Sequence, residues 1–483
     1  MRFASLPRCP RILLAGAAIA AGAGLAPMTA HAETLNQALG AAYKYNPRLD
    51  AERARLRAVD EEVARANSGY RPVITGNADV SLLNENQQPE PPGQDETRAP
   101  RGYSVNLTQP LFTGFQVTNA VREAEAAVRA GREILRDIER LILLEAVTAY
   151  MDVVRDQAVV LLQENNVQVL SRELKATQDR FAVGEVTRTD VAQAQARRAG
   201  AVSDLDLARA NLKTSRASFE RVIGHPPTNL VEAAVPERLL PKSVSEAIAI
   251  STRENALVIA ALYREQGARH TVDRIRGELL PQARLEASYE DRFGVGGGLD
   301  EVERTTVTGR LTVPIYEGGE VYARVRQAKH THVSRLQEIE QIRTEVQQAV
   351  VAAWSQLQAA RGQLESDTVQ VQSNRVALAG VREEERVGQR TLLDVLNAEQ
   401  ELVNSEVALV TTRRNLVVAA YSVLSTVGKL DAAILGVSSQ IYDPEVHYFE
   451  VRRKWWGLSI THRDGHREKL DLWETHGKHA PVK

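Results

Sequence analysis

Two aspartates occupy matching places in the chain, each six residues after a glycine. Asp190 follows Gly184 and Asp394 follows Gly388, and each aspartate opens a stretch rich in Ala, Leu and Val. A carboxylate at such a place can accept hydrogen bonds from the unpaired N–H groups at the start of a helix. The spacing therefore predicts, at both positions, a glycine turn followed by a capped helix.

No known catalytic or metal-binding pattern accompanies these aspartates. The sequence has no Gly-Lys-Ser/Thr phosphate loop and no Gly-x-Ser-x-Gly elbow, and its one cysteine is Cys9. Five of the ten histidines lie towards the C-terminus, with spacings that match no zinc site. We therefore predict that the protein is not an enzyme and has neither a cofactor nor a metal site. The histidines concerned are His447, His462, His466, His476 and His479.

Residues 1–32 are typical of a signal peptide. A stretch with three arginines precedes an apolar run at 12–21, and Ala30-His31-Ala32 matches the small-x-small cleavage pattern. Cleavage would remove Cys9, so the mature chain would be stabilised by packing rather than by disulfides. The net charge of −2 is too small to indicate a nucleic-acid partner.

The rest of the chain is a tandem duplication. Residues 107–114 (LTQPLFTG) match 311–318 (LTVPIYEG) at an offset of 204 positions, whereas upstream residues such as Asn46 and Asn255 match at 209. The difference falls between 81 and 103, in a stretch rich in Pro, Gly, Asn and Gln that is typical of a surface loop. We assign the first copy to 33–228, the second copy to 242–436, and a solvated tail to 437–483.

Each copy predicts a helical lead-in followed by two strands and a long helical hairpin. The lead-ins cover about 35–68 and 244–277, and the hairpins cover 115–224 and 319–428. A helix from 116 to 182 would be roughly 100 Å long, so it needs partner helices alongside. Between Val346 and Leu364, apolar residues recur in steps of four and three, which is the spacing of a coiled-coil seam.

Four segments alternate apolar and polar residues with the period of a β-strand. Each is about 9–11 residues long, enough to cross a membrane at a tilt, with a light apolar face opposite a charged one. A half-buried sheet in a soluble protein gives the same alternation. The segments cover about 72–83, 102–112, 281–290 and 305–315, and glycines at 294 and 296–298 predict a flexible loop between the last two.

Two prolines mark the places where strand gives way to helix. Pro110 and Pro314 end the second strand of each copy, and Gly114 and Gly318 each follow by four residues. A proline has no N–H to offer a neighbouring strand, so it is best tolerated at such a junction.

Four strands are too few to enclose a lumen. An open sheet edge cannot face lipid, because its backbone groups would have no hydrogen-bond partner there. Several subunits must therefore each contribute four strands, and from the residues alone two, three or four subunits all satisfy this requirement.

The chain resembles the TolC-like outer-membrane efflux proteins of Gram-negative cells. The resemblance runs from residue 33 to about 436, and its most specific parts are four short motifs. They are QPLFTG at 109–114, VPIYEG at 313–318, VGEVTRTDV at 183–191 and VGQRTLLDVLNA at 387–398.

This resemblance implies a mainly α protein with a membrane β-barrel portion. In such a homotrimer, a twelve-stranded barrel in the outer-membrane lipid stands on a long antiparallel coiled-coil tunnel in the periplasm. The implied partners are a periplasmic adaptor and an inner-membrane transporter, ABC-type or proton-driven. The implied function is a passive exit duct for secreted protein, small toxic compounds or both. The tail segments YDPEVHY (442–448) and VRRKWWG (451–457) resemble those of type I secretion members and favour protein secretion.

The resemblance also implies a gate at the periplasmic tip. Asp394 corresponds to an acidic residue that rings the entrance, where carboxylates set cation preference. Arg390 corresponds to a residue that links to Asp190 and Thr189 of the neighbouring hairpin. An exposed link of this kind contributes roughly 0–1 kcal/mol, so a partner could open it.

Two positions depart from the family's gate. Asn397 stands where a second acidic residue is common, and Glu385 stands where a tyrosine often joins the lock. We therefore expect a less acidic constriction.

A soluble periplasmic coiled-coil adaptor without a barrel is the alternative interpretation. It explains the helical hairpins. It does not explain four strands of membrane-spanning length placed in the same way in two copies.

Overall fold

The computed structural model describes residues 32–84, 98–296, 299–437 and 441–460. The predicted signal peptide, except for its last residue, lies outside the described residues, as do Gly297, Gly298 and the histidines from His462 onward.

The described elements follow the same order in both copies. The first copy contains α1 (Leu35–Tyr45), α2 (Pro47–Ser68), β1 (Val73–Val80), β2 (Arg101–Phe112), α3 (Gln116–Ala182) and α4 (Arg188–Ile223). The second contains α5 (Val244–Glu254), α6 (Ala256–Arg276), β3 (Gln282–Gly296), β4 (Leu299–Thr312), α7 (Glu320–Arg386) and α8 (Leu392–Thr426). Two short helices follow, α9 (Ala432–Leu435) and α10 (Pro444–Val451).

The long helices agree with the sequence prediction. α3 and α7 each contain 67 residues, and each begins after two residues with positive φ at the strand-to-helix junction. The predicted seam of α7 is buried from Val346 to Ala360. Each long helix packs chiefly against the return helix of its own hairpin, α3 with α4 and α7 with α8.

Each helical lead-in is broken in two, which the sequence interpretation missed. Asn46 ends α1, and its side-chain oxygen caps α2 by accepting the N–H of Arg48 at 3.0 Å. Its amide nitrogen donates to the carbonyl of Val222 at 2.9 Å. Asn255 repeats this arrangement in the second copy, where it donates to the carbonyl of Thr426 at 3.0 Å. One asparagine therefore sets the bend and attaches it to the end of the return helix.

The four strands form one antiparallel sheet in the order β1-β2-β3-β4. Ile74 pairs with Leu107 in the first copy, and the equivalent Ala283 pairs with Leu311 in the second. Adding 209 to the number of a β1 residue and 204 to that of its β2 partner thus gives a pair between β3 and β4. The two strands of the second copy are therefore paired in the same register as those of the first.

The last two strands are longer than predicted. Asp291, Arg292 and Phe293 pair with Glu303, Val302 and Glu301, so the ladder continues where a loop was predicted. The prediction of a loop at Gly294 and Gly296 was wrong, because β3 extends to Gly296 and β4 begins at Leu299. β4 also ends at Thr312, before the predicted 315, so Pro314 follows its strand whereas Pro110 lies within β2.

The two copies meet closely at the base of the sheet. Gly114 has a φ of 60°, and a Cβ there would lie 2.2 Å from the carbonyl oxygen of Gly277. Gly277 begins the turn between α6 and β3. Any other residue at 114 would be strained by the positive φ, and its Cβ would clash with the second copy.

The tail is packed onto the first copy at 442–454, and the prediction of a solvated tail was wrong for that part. Tyr448 and Val451 of α10 are buried, and Tyr448 packs with Val63 of α2 and Val128 of α3. His447 Nδ1 lies 3.0 Å from the buried carboxylate of Asp60.

Among the described residues, α8 is the one helix long and apolar enough by length and composition to cross a membrane. Its buried residues Ala420 and Val423 pack with Leu357 of α7, and its Leu424 packs with Phe219 of α4. This packing is typical of a core helix in a bundle.

Candidate functional site

The sheet presents one apolar face. Residues two apart along each strand point to the same side, and the register aligns these residues across the sheet. Ile74 and Val307, at the two ends of one row, are 65% and 68% exposed. The apolar side of the sheet therefore has no covering layer in the described residues. That row consists of Ile74, Leu107, Ala287 and Val307.

The opposite face carries charged residues in ion pairs. Glu286 on β3 accepts from Arg284 at 2.6 Å and from Arg310 on β4 at 3.2 Å. Arg292 on β3 reaches Asp79 on β1 at 3.5 Å, across Gly102 on the strand between them. Such a face suits water rather than lipid, as the alternation predicted.

Both edges of the sheet are open in one protomer. In the described part of the chain, β1 pairs only with β2 and β4 pairs only with β3. Each edge strand thus leaves alternate N–H and C=O groups without a ladder partner. In lipid this is not tolerated, and in water it invites pairing with another strand.

At the other end of the molecule, the two predicted aspartates cap the return helices. The carboxylate of Asp190 accepts the backbone N–H of Thr187 at 2.9 Å, and that of Asp394 accepts the N–H of Thr391 at 3.0 Å. Each threonine hydroxyl accepts in return from the N–H of its aspartate, which completes a capping box. The hydrogen bonds from Thr391, and then the nearby charge of Arg390, lower the pKa of Asp394.

Three other predicted gate residues, Arg390, Glu385 and Asn397, have partners within one protomer. Arg390 donates to Glu384 at 2.9 Å rather than to Asp190, while Thr189 is exposed. Gly184 and Gly388 have φ of 83° and 77°, as the predicted turns require.

Two side-chain hydrogen bonds and an apolar cluster join the tips of the two hairpins. In the cluster, Leu396 of α8 packs with Leu170 of α3 and Ala201 of α4. Glu385 accepts from Arg180 of α3 at 2.7 Å, and Asn397 accepts from Arg197 of α4 at 2.6 Å. The sequence offered no signal for either pairing, because both depend on how one hairpin lies against the other.

One buried charge at the tip was missed. Glu399 is 4% exposed, and Arg382 donates to it at 2.6 Å across the second hairpin. Burial raises the pKa of Glu399, and Arg382 acts in the opposite direction. A signal for this residue exists in the sequence, since 399 lies four residues after Val395 and three before Leu402, at a seam position.

Comparison with known proteins assigns this architecture to a family. The family model described as outer membrane efflux protein matches residues 38–225 and 250–429. The chain belongs to the outer membrane efflux protein family. The predicted resemblance to TolC-like proteins is confirmed, and the two matched ranges lie within the two copies of the duplication.

Individual relatives and a solved structure agree with this assignment. The outer membrane efflux protein BepC of Brucella suis is 38% identical over 95% of this chain and 99% of that protein. The alkaline protease secretion protein AprF of Pseudomonas aeruginosa is 26% identical over 62% of this chain and 64% of that protein. The CmeC outer membrane channel of Campylobacter jejuni has a similar fold, with a TM-score of 0.75 at 17% identity over 87% of this chain and 89% of that one.

The family establishes the location. This efflux protein lies in the outer membrane, with its long helices on the periplasmic side. Its fold is a helical portion with a β-barrel portion, as the sequence predicted.

The buried ion pair at the tip gives a test of the second hairpin. In Arg382→Met, Glu399 stays buried without its cation, which we expect to cost about 1–3 kcal/mol. The loss should shrink as the pH falls, because a Glu399 with a raised pKa becomes neutral first. Thermal unfolding followed by circular dichroism, with amide exchange of residues 392–402, measures both effects.

Arg386→Met is the matched control. Arg386 lies one turn further along α7, and its partner Glu383 is exposed, so we expect a change below about 0.5 kcal/mol. Equal losses in the two variants would show that the burial of Glu399 is not what stabilises the hairpin.

Proposed function

We propose that this efflux protein is the outer-membrane exit duct of a tripartite export system. It passes secreted protein, small toxic compounds or both from the periplasm to the exterior by passive conduction. The observation that carries the proposal is the sheet, apolar on one face and ion-paired on the other, continuous with helices of 67 residues. A soluble adaptor would leave the apolar face in water, and a barrel gives it lipid.

The proposal includes an energy source on other chains. A duct needs no catalytic site of its own. The family resemblance implies an adaptor in the periplasm and a transporter in the inner membrane. These partners would capture the cargo and supply the energy for its export.

Protein is the favoured cargo. AprF is by its name a secretion protein, and the tail of this chain resembles type I secretion members at 442–448 and 451–457. In this chain those segments form α10 and its docked extension, so they belong to the folded molecule.

A deletion strain tests the cargo and the duct together. We expect loss of one or more secreted proteins from the culture medium, restored by the wild-type gene. Growth on dyes and bile-type detergents provides the second measurement. Sensitivity to these compounds with an unchanged set of secreted proteins would refute protein export, and no change in either measurement would refute the duct.

Three copies of the chain would close the barrel. β2 and β3 pair between the two copies of the duplication, with Asn106 opposite Ser288. The residue of β4 equivalent to Asn106 is Arg310, at an offset of 204, and the residue of β1 equivalent to Ser288 is Asp79, at an offset of 209. The same pairing between subunits therefore places Arg310 opposite Asp79 of the neighbouring subunit. Both residues lie on the charged face, so the new pair would extend the ion-pair network around the lumen. Both open edges would then be paired.

The proposed register is testable with cysteines, since Cys9 lies in the predicted signal peptide. The same offsets place Thr312 opposite Asn77 of the neighbour, and directly opposed residues lie within the Cα range of about 4.4–6.8 Å that a disulfide spans. We expect Thr312→Cys with Asn77→Cys to give a ladder ending at three linked chains after oxidation. The readout is non-reducing electrophoresis of outer membranes.

A pairing shifted by two residues is the control. Thr312→Cys with Thr75→Cys keeps both cysteines on the same face but separates them by roughly 7 Å along the strand. Linkage of this pair instead of the first would refute the register, and a ladder ending at two or four chains would refute the trimer.

Asp394 is proposed to be the acidic residue of the periplasmic entrance. Its lowered pKa keeps it ionised, and three subunits would bring three such carboxylates to the tip. Capping and gating are compatible, because the cap uses one carboxylate oxygen, Oδ2. The links expected of Arg390, Asp190 and Thr189 would then form between subunits, with Asn397 and Glu385 already engaged inside each protomer.

Separating charge from capping tests this role. Asp394 is the third residue of α8, where an amide oxygen can still accept the N–H of the capping residue Thr391, so Asp394→Asn retains the capping box and removes the charge. We expect Asp394→Asn to abolish the block of single-channel current by divalent cations. Because the pKa is lowered, the block in the wild type should persist as the pH falls to the usual carboxyl range and vanish only below it.

Asp190→Asn is the matched variant in the first hairpin. It removes the same charge from an equivalent cap, and we expect it to retain the block. Unchanged block in Asp394→Asn would exclude Asp394 as the cation-binding residue.

A further inference from the structure

The chain after α10 ends in a cluster of exposed apolar side chains. Trp455 and Trp456 are 63% and 86% exposed, and Leu458 and Ile460 are also exposed. Two neighbouring tryptophans in water are unusual, since the indole ring is a large apolar surface. The motif VRRKWWG at 451–457 contains both tryptophans, and the duct does not account for it.

The cluster is attached to the turn that leads into β1. Arg71 Nη1 donates to the carbonyl of Lys454 at 2.7 Å, and its guanidinium lies 4.8 Å from the centre of the Trp455 ring. Asn67, in the last turn of α2, donates to the carbonyl of Arg452 at 3.4 Å. Trp455 therefore lies against Arg71, which is two residues before the first residue of β1.

The turn lies towards the apolar face. Gln109 alternates with Leu107 on that side of β2, and its amide donates to the carbonyl of Tyr70 at 3.0 Å. Ile74, the first apolar-face residue of β1, follows four residues later. The tryptophans thus extend the apolar face of the sheet, the lipid-facing band of the barrel, at its periplasmic end.

Ion pairs to α3 attach the segment to the helices while its apolar side chains stay exposed. Arg452 donates to Glu125 of α3 at 2.8 Å, and Arg132 of α3 donates to Glu445 at 2.8 Å. Arg453, between the docked part and the tryptophans, is exposed. A fixed segment with an exposed aromatic and basic surface has the composition that binds the headgroup layer of a phospholipid membrane.

We propose that residues 452–460 anchor the protein in the periplasmic leaflet of the outer membrane. Trp455 and Trp456 lie in the interface between headgroups and acyl chains, and Arg453 faces the lipid phosphates. The inference rests on the proposed function, since it needs the barrel to sit in the bilayer. It assigns the segment to lipid rather than to an adaptor or a neighbouring subunit, because the surface continues the lipid-facing band.

Tryptophan quenching by brominated lipid tests the proposal on the full chain. The sequence has four tryptophans, so Trp354→Phe with Trp473→Phe leaves only the two in question. The protein is reconstituted in vesicles of phosphatidylethanolamine and phosphatidylglycerol, brominated near the headgroup end or near the methyl end of the acyl chains. We expect roughly twofold quenching by the first lipid and less by the second, as for interfacial tryptophans.

The two tryptophans should differ. Trp455 stacks on Arg71, whereas Trp456 is more exposed, so adding Trp455→Phe should leave a more strongly quenched protein than adding Trp456→Phe. A protein that keeps only Trp354, half-buried between α7 and α8, should not be quenched by either lipid.

A tryptophan on the barrel separates this proposal from the proposed function. Val307→Trp, in a background without other tryptophans, should be quenched by the lipid brominated near the methyl end. Failure of Val307→Trp would overturn the membrane barrel and this proposal with it. Quenching of Val307→Trp without quenching of Trp455 and Trp456 would overturn the anchor alone. In that case, blue-shifted emission would indicate a covering protein surface, and red-shifted emission would indicate contact with water.

Discussion

The unpaired backbone of the two edge strands is the constraint on which the rest of the structure depends. β1 and β4 each leave a row of N–H and C=O groups without partners in the protomer, and lipid can supply none. The sheet must therefore close through other copies of the chain. In the closed sheet the apolar face meets lipid and the charged face turns inward. Closure also requires the helices below to follow the same circle.

The duplication makes this closure simple. One register joins the strands within each copy, and a second register, between β2 and β3, joins the two copies. A ring needs only these two pairings, repeated. The tight approach of Gly114 and Gly277 shows how closely the copies must fit at the base of the sheet, where strands spaced about 4.8 Å apart meet helices spaced about 10 Å apart.

The sequence predicted what depends on local periodicity and failed where distant parts meet. The 67-residue helices, the turns at Gly184 and Gly388, and the caps at Asp190 and Asp394 follow from spacing alone. The extension of β3 and β4 was missed because glycines and charges obscure the alternation there. The contact of Arg180 with Glu385 could not be foreseen, because 205 residues separate the two. The docking of α10 was missed for the same reason.

The two copies differ in charge at the tip. The positions equivalent to Arg382 and Glu399 in the first hairpin are Gln178 and Gln195, so only the second hairpin contains the buried ion pair. A buried pair contributes little net stability, because removing both charges from water offsets their attraction. The second hairpin is therefore held less firmly along its own seam than an apolar seam would hold it. Its attachment to the first hairpin combines the polar contacts of Glu385 and Asn397 with an apolar cluster, in which the buried Leu396 packs with Leu170 and Ala201 of the first hairpin. Opening the tip would thus break polar contacts that water can replace. It would also expose the side chains of this apolar cluster to water, which costs more than breaking an exposed ion pair.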